Sequence, residues 1–126
     1  MKIKSFLFFA FFSSFLFCTK STTPEPIVTY TKADSGTTKT IDANKEFNIE
    51  LNECVGCADV WKITQLDTTR IEYIGKAYSN PSCTNCVGGS HDATFSFKAI
   101  AIGSSTLELA YFSDTVRITI MAVGLD

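Results

Sequence analysis

Apolar and polar residues alternate one by one along several stretches of the chain, and this period of two constrains the fold more than any other feature. In residues 46–51, Phe47, Ile49 and Leu51 alternate with polar neighbours. The same alternation runs through residues 93–101, 106–112 and 116–123. Because successive side chains of a β-strand point to opposite faces of the sheet, each stretch predicts a strand with one buried face.

Other stretches rich in β-branched and aromatic residues complete an all-β pattern. They lie at residues 27–33, 60–66 and 70–78, and a further short strand is expected around residues 37–41. Turn-forming residues separate the stretches, and none of them has a helical period. Seven or eight short strands in about 100 residues fit an antiparallel β-sandwich. Such a small domain has a limited core, so cross-links would stabilise it.

The N-terminal residues have the pattern of a secretory signal. Lys2 and Lys4 precede an almost unbroken apolar run over residues 6–17, which is shorter than the roughly 20 residues that a membrane-spanning helix needs. We therefore expect the protein to be exported. The predicted segments are a signal at residues 1–17, a polar tether at residues 18–26 and a folded domain at residues 27–126.

The end of the apolar run, SFLFC, resembles the lipobox of bacterial lipoproteins. Leu16 supplies its aliphatic residue, whereas Phe17 stands where the usual pattern has Gly, Ala or Ser. The chain has 5 cysteines, so lipid attachment at Cys18 leaves an even number, which suits an exported protein. A membrane-anchored lipoprotein is therefore predicted. Signal cleavage just after Cys18, which would give a secreted or periplasmic protein, is the alternative.

Charge and residue types argue against nucleic-acid binding and against catalysis. The formal net charge is −2, and no cluster of Lys and Arg offers the basic face that nucleic acid or anionic lipid requires. The single histidine, His91, and the acidic Asp59 and Asp92 are expected in loops or turns, and Trp61 is expected half-buried at the start of a strand. No acid–base pair or activated nucleophile is evident. We therefore predict no enzyme, no catalytic residue and no cofactor.

Two CxxC pairs, Cys54 with Cys57 and Cys83 with Cys86, allow three kinds of site. Paired CxxC motifs are typical of zinc sites, although the segment between these pairs exceeds the usual spacing of about 15–20 residues. A redox dithiol would need a helix after the first cysteine, which the all-β pattern does not supply. Because exported cysteines meet an oxidising environment, disulfides are favoured over a zinc site and a redox dithiol, and no metal is predicted. The sequence does not choose among the three possible pairings of the four cysteines.

The segments around these cysteine pairs match two motifs of one known family. The downstream segment, residues 87–111, has a Gly-rich loop, an aromatic-x-aromatic-x-Ala strand, a Gly turn, a Leu and a Tyr that ends a strand. The upstream segment, residues 51–61, keeps a Leu, an Asn, a Gly and a Trp in the family's order. The matching residues are Leu51, Asn52, Gly56, Trp61, Gly88, Gly89, Phe95, Phe97, Ala99, Gly103, Leu107 and Tyr111. The chain thus resembles the chagasin-type inhibitors of papain-like cysteine peptidases over most of its folded domain.

This resemblance implies an immunoglobulin-like β-sandwich that binds the active-site cleft of a papain-like cysteine peptidase reversibly, through loops at one end. Val55 would lie where the family places a Thr near the catalytic thiol. Since the two cysteine-bearing loops are neighbours in the family, the resemblance also favours disulfides between the loops rather than within each CxxC. The peptidase-binding residues that it implies are Asn52, Glu53, Val55, Gly56, Gly88 and Gly89.

The chain departs from the family pattern in all three loops, and in the second loop Cys86 stands where the family has its first Gly. Glu53, Cys54 and Val55 replace the Pro and both Thr residues of the central loop, and the third loop is absent after Tyr111. Two alternatives therefore stay open: a cell-surface interaction module of the same fold that does not inhibit, and a small zinc-binding module.

Overall fold

Eight β-strands and one 3₁₀ turn make up the part of the chain that the computed structural model describes, residues 25–79 and 89–124. The all-β prediction is confirmed, and the structure has no α-helix in this part of the chain. The 3₁₀ turn spans Lys32–Asp34. The strands are β1 (Val28–Tyr30), β2 (Thr38–Asp42), β3 (Glu46–Cys54), β4 (Lys62–Gln65), β5 (Ile71–Tyr78), β6 (Ser90–Ala99), β7 (Gly103–Tyr111) and β8 (Asp114–Val123).

The strands form two four-stranded sheets that pack as a sandwich. The order is β1-β3-β6-β5 in one sheet and β2-β8-β7-β4 in the other. The four pairings among β3 to β8 are antiparallel, as predicted, whereas the two N-terminal edge strands pair in parallel, β1 with β3 and β2 with β8. Residues 31–37 carry the chain from one sheet to the other, so this short segment links the two layers.

The alternating residues fill the space between the sheets, as the period of two predicts. Phe47, Ile49 and Leu51 on β3 are at most 1% exposed, and the ring of Phe47 stacks on that of Phe97 with centroids 5.4 Å apart. Full burial of such a side chain stabilises the fold by about 1.5–3 kcal/mol. The facing sheet contributes Leu107, Leu109, Val116, Ile118 and Ile120, all at most 1% exposed.

Three connections lie at one end of the sandwich, because β3 and β7 run towards that end and β6 and β8 run away from it. They are residues 55–61 between β3 and β4, the β5–β6 connection, of which only residues 79 and 89 are described, and residues 112–113 between β7 and β8. We call this end the loop end. The opposite end holds Glu25, which pairs with Lys45 at 2.9 Å in the β2–β3 turn, and Val123 at the end of β8.

The predicted signal at residues 1–17, the lipid site at Cys18 and nearly all of the predicted tether lie outside the described residues. These expectations therefore stay predictions. Within residues 25–79 and 89–124, no helix is long and apolar enough to cross a membrane.

Candidate functional site

The tip of the β3–β4 loop is a tight turn closed by a disulfide between Cys54 and Cys57. Gly56 has φ +77°, in the left-handed region that glycine adopts without steric cost, and this reverses the chain directly after Val55. The turn brings the two cysteine Cα atoms to 5.5 Å, within the usual span of a disulfide. Cys54 is half-buried at the end of β3, whereas Cys57 is exposed.

The expectation of disulfides between the loops is therefore wrong for this cysteine pair. Cys54 bonds within its own CxxC because the turn at Gly56 brings the Cα atoms of Cys54 and Cys57 to 5.5 Å. The two loops are nevertheless neighbours, since the Val55 N–H donates a hydrogen bond of 2.9 Å to the carbonyl oxygen of Gly89. Cys83, Cys86 and Gly88 lie outside the described residues, and the predictions for them stay open.

The disulfide also bears on the zinc alternative, because bonded sulfurs do not provide the thiolates that zinc binds. In the described ranges, no group of three or more His, Cys, Asp and Glu side chains is placed to hold a metal ion.

Glu53, two residues before the tip, is buried under the loop. Only 2% of the residue is exposed, and its carboxylate accepts hydrogen bonds from three directions. The Trp61 N–H donates to Oε2 at 2.9 Å, Lys76 Nζ lies 3.3 Å from the same oxygen, and His91 Nε2 lies 3.1 Å from Oε1. The predicted contact of Glu53 with a peptidase does not fit this burial. Its side chain supports the loop from inside the sandwich instead.

This carboxylate stays ionised despite its burial. Burial is the largest influence and raises the pKa of Glu53, but the hydrogen bonds from Trp61, His91 and Lys76, together with the charge of Lys76, outweigh it and hold the pKa below the ordinary value. Burial likewise lowers the pKa of Lys76, while its contacts with Tyr78 and Glu53 raise it more. Glu53 and Lys76 therefore form a charged pair under the loop at neutral pH.

His91 and Asp92 lie in β6 rather than in a loop, so their predicted positions are wrong. β6 begins at Ser90, and His91 stands directly opposite Glu53 in the β3–β6 register. The side chain of His91 is 16% exposed, and its ring packs against that of Tyr78 with centroids 4.4 Å apart. Asp92 accepts a hydrogen bond of 3.2 Å from Nδ2 of the exposed Asn52. The strand extends this far because β3 offers pairing partners up to Cys54.

Trp61 and Tyr111 hold the other side of the loop. Trp61 is 4% exposed, more buried than predicted, and lies directly before β4. Its indole N–H donates a hydrogen bond of 2.8 Å to the carbonyl oxygen of Asn52, and its ring stacks on Tyr111 with centroids 5.1 Å apart. The hydroxyl oxygen of Tyr111 accepts a hydrogen bond of 3.2 Å from the Cys54 N–H. The β3 end of the disulfide turn is thus fixed to Trp61 and Tyr111.

The β7–β8 connection is a two-residue turn, because Tyr111 pairs directly with Asp114 in the strand register. Phe112 occupies this turn at φ +50° with 61% of its surface exposed. Its N–H donates a hydrogen bond of 2.9 Å to Asp59 of the β3–β4 loop, and Asp59 also accepts from the Val60 N–H. These two hydrogen bonds, that from Phe112 foremost, lower the pKa of Asp59.

An exposed apolar surface at the loop end escaped the sequence reasoning. Val60 is 40% exposed, Tyr78 51% and Phe112 61%, and each lies in or next to one of the three connections. Exposed apolar groups of this kind are common at sites of protein interaction. The signal was present in the sequence as an aromatic residue, Phe112, in a turn too short to bury it.

Of the predicted binding residues, the structure places Asn52, Val55, Gly56 and Gly89 together at the loop end. Asn52 and Gly56 are exposed, and Val55 and Gly89 are half-buried. The arrangement is a β-sandwich that offers a small, internally braced tip flanked by exposed apolar side chains. Such a site holds no arrangement of groups for covalent catalysis in the part of the chain described.

The chain belongs to the chagasin family of peptidase inhibitors (I42), whose pattern matches residues 40–119. Solved structures with a similar fold include the cysteine protease inhibitor EhICP2 from Entamoeba histolytica, at 17% identity and a TM-score of 0.68, covering 77% of this chain and 96% of that one. The solution structure of Amebosin is similar at 14% identity and a TM-score of 0.67, covering 78% and 99%. No curated protein matches the sequence.

Family membership confirms the resemblance drawn from residues 51–61 and 87–111. It also identifies the chain as a member of an inhibitor family and not as an enzyme. The structural similarities extend the shared fold over nearly the whole length of both related proteins.

Proposed function

We propose that this protein is an exported inhibitor of papain-like cysteine peptidases, and that its loop end enters the active-site cleft reversibly. The observation that carries this proposal is the position of the disulfide-closed tip. Its segment, residues 51–61, resembles the central binding loop of a family of peptidase inhibitors, and the described ends of the other two connections lie at the same end of the sandwich.

The bracing of the tip supports inhibition rather than loose association. Ordering a flexible loop on binding costs free energy, so a loop that is already fixed retains more of its contact energy as affinity. Here the disulfide, the hydrogen bonds of Cys54 and Val55, and the buried carboxylate of Glu53 fix the backbone before any partner arrives. Val55 has a short side chain and Gly56 has none, so the backbone of the tip could approach the floor of a narrow cleft.

A blocking substitution at the tip tests the proposal. A Cβ at Gly56 would meet no other atom within 4 Å, so Gly56→Lys places a long side chain in open space at the cost of backbone strain. We expect the inhibition constant for papain to rise at least about a hundredfold, which corresponds to roughly 2.7 kcal/mol.

Asn44→Lys is the matched control, because Asn44 also has a positive φ, +67°, and lies in the β2–β3 turn at the opposite end. It should cost similar stability and leave inhibition unchanged. If the wild-type protein has no effect on papain at about micromolar concentration, the proposal is overturned, because a specific interface of this kind should bind at that concentration.

Export and anchoring form the second part of the proposal and have their own test. The apolar run at residues 6–17 and the lipobox-like SFLFC support a lipid-modified Cys18 in a membrane-anchored protein. Mass spectrometry of the mature N-terminus should find a lipidated cysteine there. An unmodified N-terminus downstream of Cys18 would instead indicate a secreted or periplasmic protein.

A non-inhibitory interaction module is the second candidate, and the β7–β8 turn favours it. The family places a third binding loop after the equivalent of Tyr111, whereas here only Phe112 and Ser113 separate the two strands. The loss of the third loop removes contact area, so the module could bind a peptidase without blocking the active-site cleft of that peptidase. Binding to papain, measured by calorimetry, without any loss of papain activity would identify this case.

A further inference from the structure

The disulfide at the loop end has one accessible and one sheltered sulfur-bearing residue. Cys57 is exposed beyond the turn, whereas Cys54 is half-buried at the end of β3. The two residues between them, Val55 and Gly56, form the tip itself. A molecule that closes over this tip therefore meets the disulfide at the same time.

We propose that the Cys54–Cys57 disulfide exchanges with the catalytic thiolate of the bound peptidase, so that inhibition has a covalent and reducible second stage. This inference rests on the proposed function, which brings that thiolate to the tip. The peptidase thiolate attacks the sulfur of Cys57, a new S–S bond forms between them, and the bond to Cys54 breaks with its electron pair leaving on the Cys54 sulfur. One disulfide is consumed and one is formed, so no external oxidant or reductant takes part.

The chemistry of the partner suits this step. Thiol–disulfide exchange requires a thiolate as attacking group, and papain-like peptidases keep their catalytic cysteine as a thiolate at neutral pH because its pKa is strongly lowered. A peptidase with a serine nucleophile has no such group. Exchange would therefore add selectivity for thiol peptidases that contacts between loops and cleft alone do not give.

The fold makes the step reversible and assigns the two sulfurs their roles. Cys54 is held in β3 by pairing with Ser90 and by the hydrogen bond from its N–H to Tyr111, so it stays in place after its sulfur is released. The freed thiolate of Cys54 lies next to the mixed disulfide and can attack Cys57 again, which expels the peptidase. The enzyme is thus released intact rather than permanently modified.

The mixed disulfide can be trapped and weighed. Activated papain, freed of reducing agent, is mixed with the protein, and the mixture is quenched at neutral pH with excess N-ethylmaleimide, which blocks the freed thiol of Cys54, before it is acidified for mass spectrometry. We expect a mass shift equal to one papain molecule, lost on adding dithiothreitol. Peptide mapping should place the link at Cys57 and the maleimide at Cys54. The Cys83→Ser/Cys86→Ser variant confines exchange to the described pair, and mapping of the wild-type adduct gives the same answer if that variant does not fold.

Two controls separate this inference from the proposed function. Papain alkylated at its catalytic cysteine should give no adduct, and neither should the Cys54→Ser/Cys57→Ser variant. Inhibition of papain by the wild-type protein without any adduct would overturn the exchange and leave the proposed function standing. Absence of both inhibition and adduct would overturn both.

Discussion

The carboxylate of Glu53 accepts a hydrogen bond of 2.9 Å from the backbone N–H of Trp61, across the mouth of the β3–β4 loop. The same carboxylate receives Lys76 from β5 and His91 from β6. One buried acid therefore joins the two ends of the loop to the adjacent strands. The shape of the tip depends on this acid, although the acid itself is not on the surface.

Replacing Glu53 by Gln should destabilise the fold. The amide can still accept from Trp61, but Lys76, whose side chain is only 18% exposed, loses its counter-charge. We expect the free energy of unfolding to fall by about 2–3 kcal/mol, measured by urea denaturation. Glu50→Gln is the control, because Glu50 lies on the same strand with an exposed side chain. Equal stability of the two variants would show that the buried cluster contributes nothing.

The contribution of Glu53 should also depend on pH. Its pKa in the folded protein lies below the ordinary value of 4.5, so the unfolded chain takes up the proton first as the pH falls. The stabilisation is therefore complete above 4.5, declines as the pH falls towards the lowered pKa, and is absent below it. Urea titrations of the wild type and Glu53→Gln over this range should show their difference in unfolding free energy shrinking with acidity. A difference that grows with acidity would contradict the assignment of a lowered pKa.

Phe112→Asn should separate binding from stability. Asn adopts the left-handed conformation of this position more readily than Phe, which offsets the loss of the edge contact with Tyr111 at a centroid distance of 4.6 Å. We expect the free energy of unfolding to change by less than about 1 kcal/mol, while the inhibition constant for papain rises at least tenfold. Ile102→Asn removes a similarly exposed apolar side chain, 64% exposed, at the opposite end, and should leave inhibition unchanged.

Removing the disulfide should have a modest effect on stability. The bond between Cys54 and Cys57 closes a short loop, with a sequence separation of 3, so it restricts the unfolded chain only slightly. Replacement of both residues by Ser should lower the free energy of unfolding by about 2 kcal/mol in urea denaturation. Cooperative unfolding should persist, because the hydrogen bonds of Cys54 and Val55 involve the backbone. A variant that fails to fold would show that the disulfide organises more than its own turn.

The strands and the core could be predicted because alternation depends only on local sequence. The same alternation contained a signal that the sequence reasoning missed. Glu53 continues the inward series of Phe47, Ile49 and Leu51 on β3, and His91 precedes the inward Ala93 on β6. Charged residues were assigned outward because burying an unpaired charge is costly. Only the folded sheet, in which Lys76 Nζ lies 3.3 Å from Oε2 of Glu53, shows that the charge is compensated.

Other features depend on contacts that no short stretch of sequence determines. The spacing after Tyr111 correctly predicted that the third loop is missing. β1 pairs in parallel with β3, and β2 pairs in parallel with β8, because these strands offered a free edge. The alternation of side chains is the same for a parallel and an antiparallel strand, so it does not predict the direction of pairing. The disulfide within one CxxC follows from the backbone conformation of the turn at Gly56. The resemblance to the family predicted which loops are neighbours but not this conformation.

The parallel pairing of β1 with β3 sets the direction in which the molecule would stand on a surface. The chain enters the sandwich at Glu25, at the far end of β3, and β3 has 9 residues, a length of about 30 Å. A lipid at Cys18, as proposed above, would join the sandwich at the end away from the tip, so the length of β3, about 30 Å, would separate the tip from the point where the chain enters. That distance is nearly four Debye lengths of about 8 Å at physiological salt, so a peptidase could dock on the tip without sensing the charge of the bilayer.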